Sequence, residues 1–371
     1  MTMGAPDVVI AGAGVIGAAC ARALAGTGLS VAVLDTGSLP GPATAASAGL
    51  LPPLVEARLD DPLLGLSVRA RDLYTELAPA LAAETGVDIG LWTDGILQIA
   101  FSEAEANQLM GGVAWQRQQG YHAEWLNRDD LKETAPGVAP TALGAALAAE
   151  DGMLDPVALR DALLQSATVK GATLARGEPV EGVVIENHQV TGVRTPSGTR
   201  AAGAVVVAAG CWSGRIGGLP RPLSVEPVRG QMVALPWPEG EPLAVMYGGG
   251  GYVLPRGGGA WAGATVEYAG FDASVTDAGV AQVTGIARRI YPALERATPS
   301  RMMAGLRPGT PDGRPFLGRD PTVSNLFYAT GHGRHGVLLA AITGDIIAGL
   351  WSERPSEFDL SPMAPGRFWE T

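Results

Sequence analysis

Asp7-Val-Val-Ile-Ala-Gly12-Ala-Gly14-Val-Ile-Gly17, a helix pattern, and then Val31-Ala-Val-Leu-Asp35 make a complete strand–glycine turn–helix–strand unit closed by an acid. Each part has its own physical job. Gly12 permits the tight turn out of the strand. Gly14, followed by Val15 and Ile16, lacks a Cβ, so a pyrophosphate can approach a helix N-terminus whose free N–H groups and dipole favour an anion. Gly17 lets helix and sheet pack closely. Asp35, eighteen residues after Gly17, is placed to accept hydrogen bonds from an adenosine ribose. A bare Gly-x-Gly-x-x-Gly is weak in a chain with 52 glycines among 371 residues. Here the strand, helix and acid all accompany it, so the unit reads as a dinucleotide site. The competing reading is a tight turn without ligand, and the unit alone does not say which dinucleotide.

The length allows about two domains and an ample core. With 47% hydrophobic and 17% charged residues the chain is a compact folded one, not a disordered one. A formal net charge of −11 argues against nucleic acid or an anionic membrane as main partner. Cys20 and Cys211 are the only cysteines, which excludes a disulfide framework and a cysteine metal site. The four histidines lack zinc-ligand spacing, so no metal is expected; His122 and His188 fall in expected surface loops. No basic n-region precedes the first apolar run, which glycines and Arg22 interrupt; it reads as a Rossmann strand and helix, not a signal peptide. The last apolar stretch, 336–351, contains Asp345 and is too short to span a bilayer. A cytoplasmic homo-oligomer is expected.

Further along, the small-residue loop 40–49 is suited to close approach of a ligand. Residues 61–84 have helical spacing, and 88–101 alternate as short strands do. Residues 127–136 look like a capped short helix ended by proline. Asp155-Pro156 starts another helix, with Asp155 as N-cap and Pro156 at its first position. Strands are expected at 180–186 and 189–195 through Asn187-His188. The apolar run 204–210 reads as a doubly buried parallel strand. Strand signals recur at 230–235, 251–255 and 260–266, before a strand at 325–331 and a helix over 336–350. The order implies an α/β fold: a discontinuous Rossmann-like domain (1–86, 150–225, 305–371) interrupted by an antiparallel or mixed β-sheet domain (87–149, 226–304).

Together these segments resemble the D-amino acid oxidase family of FAD-dependent amine oxidoreductases, most closely its glycine oxidase branch. The resemblance covers nearly the whole chain. It rests on the N-terminal glycine motif, Ala46-Ser47-Ala48-Gly49-Leu50, Glu150-Asp-Gly-Met-Leu-Asp-Pro-Val157, Val205-Val-Val-Ala-Ala-Gly-Cys-Trp-Ser213 and Gly251-Tyr-Val-Leu-Pro-Arg256. Gly305-Leu-Arg-Pro-Gly-Thr-Pro-Asp-Gly-Arg-Pro315 and Thr330-Gly-His-Gly-Arg-His-Gly336 are its most specific pieces. It implies a glutathione-reductase-type FAD domain, with FAD at Gly12, Gly14, Gly17 and Asp35 and the 46–50 loop near the isoalloxazine. It further implies Val180 beside the adenine, and Gly210 and Trp212 beside the pyrophosphate and ribose. His332, Gly333, Arg334, His335, Gly336, Val337 and Leu338 would run along the flavin pyrimidine edge. Reduction puts negative charge there, and a helix N-terminus at Gly336 would stabilise it.

By the same resemblance Arg307 is the bidentate clamp for an amino acid carboxylate, a task that suits a guanidinium. Tyr252, fifty-five residues earlier, would hydrogen-bond the same carboxylate. Arg334 matches a second active-site arginine, and Val266 a pocket-lining position where methionine is usual. Without the family pattern, Arg307 and Arg334 read as ordinary surface or loop arginines, and Tyr252 as a core tyrosine. His332 and His335 are expected to make backbone contacts. No cysteine lies near Arg307, so the FAD is expected to be noncovalent. The implied reaction passes a hydride from Cα to flavin N5 with no side-chain acid or base. The imine is hydrolysed to an oxo acid and ammonia, and dioxygen is reduced to hydrogen peroxide. In bacteria this branch supplies the glycine imine for the thiazole of thiamine. A D-amino acid or imino acid dehydrogenase passing electrons to a quinone or carrier remains open. An NAD-dependent dehydrogenase, suggested by the N-terminal motif alone and opposed by the 331–336 loop and the Arg307 turn, and a non-catalytic flavoprotein subunit are the further alternatives.

Overall fold

The computed structural model describes residues 4–237 and 244–369. Its opening unit folds as the glycine spacing predicts: Val8–Ala11 runs parallel to Val31–Asp35, with the helix Val15–Ala25 between them. Both strands belong to a six-stranded sheet ordered Phe316–Arg319, Leu326–Thr330, Ala204–Val207, Val8–Ala11, Val31–Asp35, Thr173–Arg176. All neighbours are parallel except the outer Phe316–Arg319 pair.

The central strands are continuous apolar runs because both faces are covered. Side chains alternate across a strand. Val8 and Ile10 therefore pack among the helices Val15–Ala25, Pro156–Val169 and Ala340–Trp351. Val9 and Ala11 face the three-stranded sheet of Gly182–Glu186, Gln189–Thr195 and Gly198–Ala201. Asn187 and His188 join the first two of those strands with φ of 50° and 60°, the paired left-handed conformation of a tight hairpin. Asp155 caps its helix as expected, accepting from the N–H groups of Val157 and Ala158. Cys20 and Cys211 are buried free thiols, which desolvation pushes up to about 12.

The second layer is an eight-stranded sheet ordered Arg301–Gly309, Glu226–Pro236, Gly259–Gly263, Gly251–Arg256, Val245–Gly248, Ile96–Ala100, Gly144–Ala148, Ala123–Asn127. Several elements of the fold depart from the sequence reading. Arg301–Gly309 lies wholly in this sheet and so crosses the boundary expected between 304 and 305. The last strand signal stops at Gly263, leaving Val266 in an irregular segment. Residues 226–304 also contain a helix, Asp277–Ile290, capped by Thr276 and burying Val283, Ile286, Ala287 and Ile290. The α-helix expected from 336 begins at Ala340; before it, Gly333–His335 forms a 3-10 turn. Among the described residues no helix is long and apolar enough to cross a membrane.

Candidate active site

A cavity of about 1100 Å³ lies between the carboxyl ends of the six-stranded sheet and the inner part of the eight-stranded one. Its first end is built by the opening unit. Gly12, at φ 111°, turns the chain out of the strand beneath Ala208, whose carbonyl a Cβ would meet at 2.6 Å. Gly14 is the N-cap of Val15–Ala25 and supplies no side-chain cap; a Cβ there would find only Thr44 Oγ1, at 3.6 Å. That hydroxyl accepts from the N–H of Val15 at 3.1 Å. Gly17 does not line the cavity, and a Cβ on it would lie 1.9 Å from the Gly12 carbonyl oxygen. Helix and strand therefore touch at Gly17, while space is left at Gly14.

Asp35 lines the cavity and accepts from the N–H groups of Ala13 at 2.8 Å and Gly37 at 2.7 Å. Val180 lies on the same wall. Gly210 and Trp212 enter it from the 3-10 turn after Ala204–Val207, and Thr330 fixes that turn by donating to the Gly210 carbonyl at 3.1 Å. A Cβ on Gly210 or Gly333 would meet nothing within 4 Å. These Cβ-free positions and an open helix N-terminus form a cradle that fits a dinucleotide.

Ala46, Ser47, Ala48 and Leu50 line the middle of the cavity; Gly49 instead packs against Leu154, whose carbonyl a Cβ would meet at 1.9 Å. Opposite lie His332, Gly333, Arg334, His335, Gly336 and Val337, whereas Leu338 points into the core. His332 is buried, its Nε2 3.0 Å from Thr343 Oγ1. Desolvation, with the nearby His335, lowers its pKa to about 3, so it is neutral. His335 and Arg334 do more than offer their backbones: both hold the same Glu56 Oε2, His335 at 2.9 Å and Arg334 at 2.5 Å. Burial works to raise the Glu56 pKa, but these two partners outweigh it and hold the carboxyl below its ordinary range.

Arg307, Tyr252 and Val266 line the far end. Arg307 sits on Arg301–Gly309, and its guanidinium lies over Gly230, where a Cβ would be 2.1 Å from Nη1. It donates one bond, from Nη1 to the Thr265 carbonyl at 3.1 Å, and among the described residues no carboxylate pairs with it. Among the described residues the Tyr252 hydroxyl has only Met232 Sδ, at 3.6 Å. Desolvation pushes this phenol up to about 12, against the pull of Arg307 and Arg256. Val266 is 68% exposed, and its neighbour Tyr268 is 82% exposed, so both stand at the mouth.

Sequence reasoning missed Glu56, Tyr247, Thr44 and Gly230. Tyr247 is a cavity residue 5.5 Å from Tyr252 between ring centroids, and strand alternation alone does not separate it from a core tyrosine. Glu56 lies in a loop without a motif. Gly230 becomes informative only once its strand is paired with that of Arg307.

Known proteins are similar to this chain over nearly its whole length. A glycine oxidase of Geobacillus kaustophilus is 36% identical over 364 residues, covering 96% of each chain. A crystal structure of glycine oxidase from the same organism superposes with a TM-score of 0.93 at 34% identity, covering 98% of this chain and 99% of that one. The bifunctional protein ThiO/ThiG of Trichormus variabilis is 36% identical over 98% of this chain, which spans 55% of that longer protein. The model of the DAO family, FAD dependent oxidoreductase, matches residues 7–350. The chain belongs to this family of FAD-dependent oxidoreductases.

Proposed function

We propose that the protein is an FAD-dependent oxidase of glycine and other small amino acids. One observation carries the reading: a half-buried Arg307 without a carboxylate partner faces, with the nearly unbonded Tyr252 hydroxyl, the cavity whose other end is a dinucleotide cradle. A guanidinium with no carboxylate partner among the described residues, facing the same cavity as a phenol whose bond is to a thioether, is chemistry for a carboxylate. Gly12, Gly14, Val15, Ile16, Asp35, Val180, Gly210 and Trp212 would hold the adenylate and pyrophosphate of noncovalent FAD. The 46–50 loop and residues 332–337 would hold the isoalloxazine. Bound FAD supplies acceptance of a hydride from Cα and return of the electrons to dioxygen as hydrogen peroxide.

Arg307 and Tyr252 fix the carboxylate and so point Cα along the cavity. No side chain needs to move a proton at Cα, so the protein's contribution is alignment and preorganised electrostatics. Arg334, already paired with Glu56, shapes the wall between substrate and cofactor. Residues 1–86 and 150–225, with the C-terminal segment taken from beyond Gly309, form the FAD part in this reading. A cytoplasmic homo-oligomer that supplies glycine imine for thiamine is its biological extension, and light scattering tests the assembly.

The purified protein is expected to be yellow, and acid precipitation to release FAD into the supernatant. Colour retained in the pellet would show covalent attachment, and a colourless protein that takes up only NAD would end the reading. Anaerobic mixing with glycine, sarcosine, D-alanine or D-proline is expected to bleach the flavin, and air to restore it. A flavin bleached but not restored by air points to the dehydrogenase alternative.

Val266 at the mouth leaves more room than methionine would. Glycine and sarcosine should be turned over, with D-alanine or D-proline at comparable or better kcat/KM. Val266→Met should shift preference toward glycine by about tenfold or more, since extra methylenes are worth about 1–3 kcal/mol. A wild type that rejects D-alanine, with Val266→Met unchanged, would assign the wall to another residue.

A further inference from the structure

Arg256 closes the motif that carries Tyr252, yet it is not among the cavity-lining residues. Its guanidinium stacks 4.6 Å from the Trp261 ring, and no carboxylate of the described residues is within ion-pair distance. Instead Nη1 donates to two successive carbonyls, Ser47 at 3.0 Å and Ala48 at 3.3 Å. Ser47 and Ala48 do line the cavity, so Arg256 grips this loop from behind.

The carbonyl and N–H of one trans peptide point in opposite directions. With the Ser47 carbonyl drawn back onto Arg256, the N–H of Ala48 is turned forward to the cavity. The neighbouring N–H groups are all satisfied inside the loop: Ala46 by the Pro42 carbonyl at 3.3 Å, Ser47 by that of Thr44 at 3.3 Å, and Gly49 by Ser47 Oγ at 3.2 Å. The N–H of Ala48 bonds no described atom, although Ala48 is buried. A backbone donor that faces a cavity without a protein partner marks a place where a ligand or water supplies the acceptor.

We propose that Arg256 is a positioning residue: it sets the orientation of the Ser47–Ala48 peptide and thereby presents the Ala48 N–H to an acceptor atom of the bound flavin. The assignment rests on the proposed placement of FAD. It explains why a cation is kept here with no carboxylate of the described residues within ion-pair distance, since two carbonyls must be held in one direction. Both bonds leave from a single nitrogen, so the task is that of a point donor, unlike the forked one assigned to Arg307.

The test compares Arg256→Met, which keeps an apolar stem on Trp261 but no donor, with Arg256→Lys, which restores a single nitrogen donor. Stripped protein is titrated with FAD, the holoenzyme's two-electron potential and visible spectrum are recorded, and the apo-protein is melted. Arg256→Met should weaken FAD binding about tenfold, the loss of roughly one hydrogen bond. If that loss falls mainly on the reduced form, the potential drops by about 30 mV, the equivalent of tenfold for two electrons. Arg256→Lys should recover most of both. Wild-type affinity and potential in Arg256→Met would overturn the assignment, as would a loss confined to the melting temperature or one that lysine does not relieve. Wild-type protein that takes up no FAD would overturn this assignment and the functional reading together; wild-type uptake with an indifferent Arg256→Met removes only the assignment.

Discussion

Arg307→Ala is expected to leave FAD bound and to lower kcat/KM about 30- to 5,000-fold. The range follows from about 2–5 kcal/mol for removing one partner of a buried, hydrogen-bonded charge pair. The cofactor cradle is untouched, because among the described residues the Arg307 side chain bonds only the Thr265 carbonyl. Arg307→Lys should rescue in part, since an ammonium cannot reproduce two parallel bonds to a carboxylate. A second route reaches the same side chain: in Gly230→Ala the new Cβ would lie 2.1 Å from Nη1, so the guanidinium must move. That variant should lose turnover in the same direction with Arg307 still present. Stopped-flow reduction by glycine under anaerobic conditions measures both variants, with FAD content read from the same samples. Unchanged reduction rates in Arg307→Ala would remove the carboxylate clamp from the mechanism.

What was legible in the sequence follows how local each signal is. The opening unit could be read because each glycine answers a short-range demand, and the hairpin at Asn187-His188 and the cap at Asp155 are likewise settled within a few residues. The helix Asp277–Ile290 was equally local, with Thr276 as cap and apolar residues at helical spacing, but the strand signals around it hid it. Glu103–Gln118 was harder. It buries only Ala106 and Val113, so its apolar stripe is too thin to read. Long-range facts were not legible from composition or periodicity. That Gly230 makes room for Arg307, or that Glu56 joins Arg334 to His335, depends on strand register and loop packing. Arg307 and Tyr252 themselves could be found only through family resemblance, because nothing in their own neighbourhoods distinguishes them from an ordinary arginine and tyrosine.

Gly14→Ala and Gly17→Ala should fail in different ways, although they stand three residues apart in one motif. At Gly17 a Cβ would sit 1.9 Å from the carbonyl oxygen of Gly12 and 3.0 Å from its carbon, both backbone atoms that no rotamer change can move. The helix Val15–Ala25 must back away from the sheet, loosening its packing against Pro156–Val169 and Ala340–Trp351. Overpacking of this kind costs about 1–3 kcal/mol or more, so the apo-protein should melt several degrees lower. At Gly14, by contrast, φ is −69° and the nearest atom to a Cβ is Thr44 Oγ1 at 3.6 Å, so alanine fits without a clash and should lower the melting of the apo-protein far less than at Gly17. Its methyl instead occupies space where an anion must come close to the helix N-terminus. Losing one charge-assisted hydrogen bond there is worth about 1.5–3 kcal/mol, so the Kd for FAD should rise about 10- to 150-fold. Calorimetry of the apo-proteins and fluorescence titration with FAD separate the two cases. If Gly14→Ala binds FAD as the wild type does, the pyrophosphate does not approach at Gly14; if apo Gly17→Ala melts with the wild type, the close contact with Gly12 is not what holds helix to sheet.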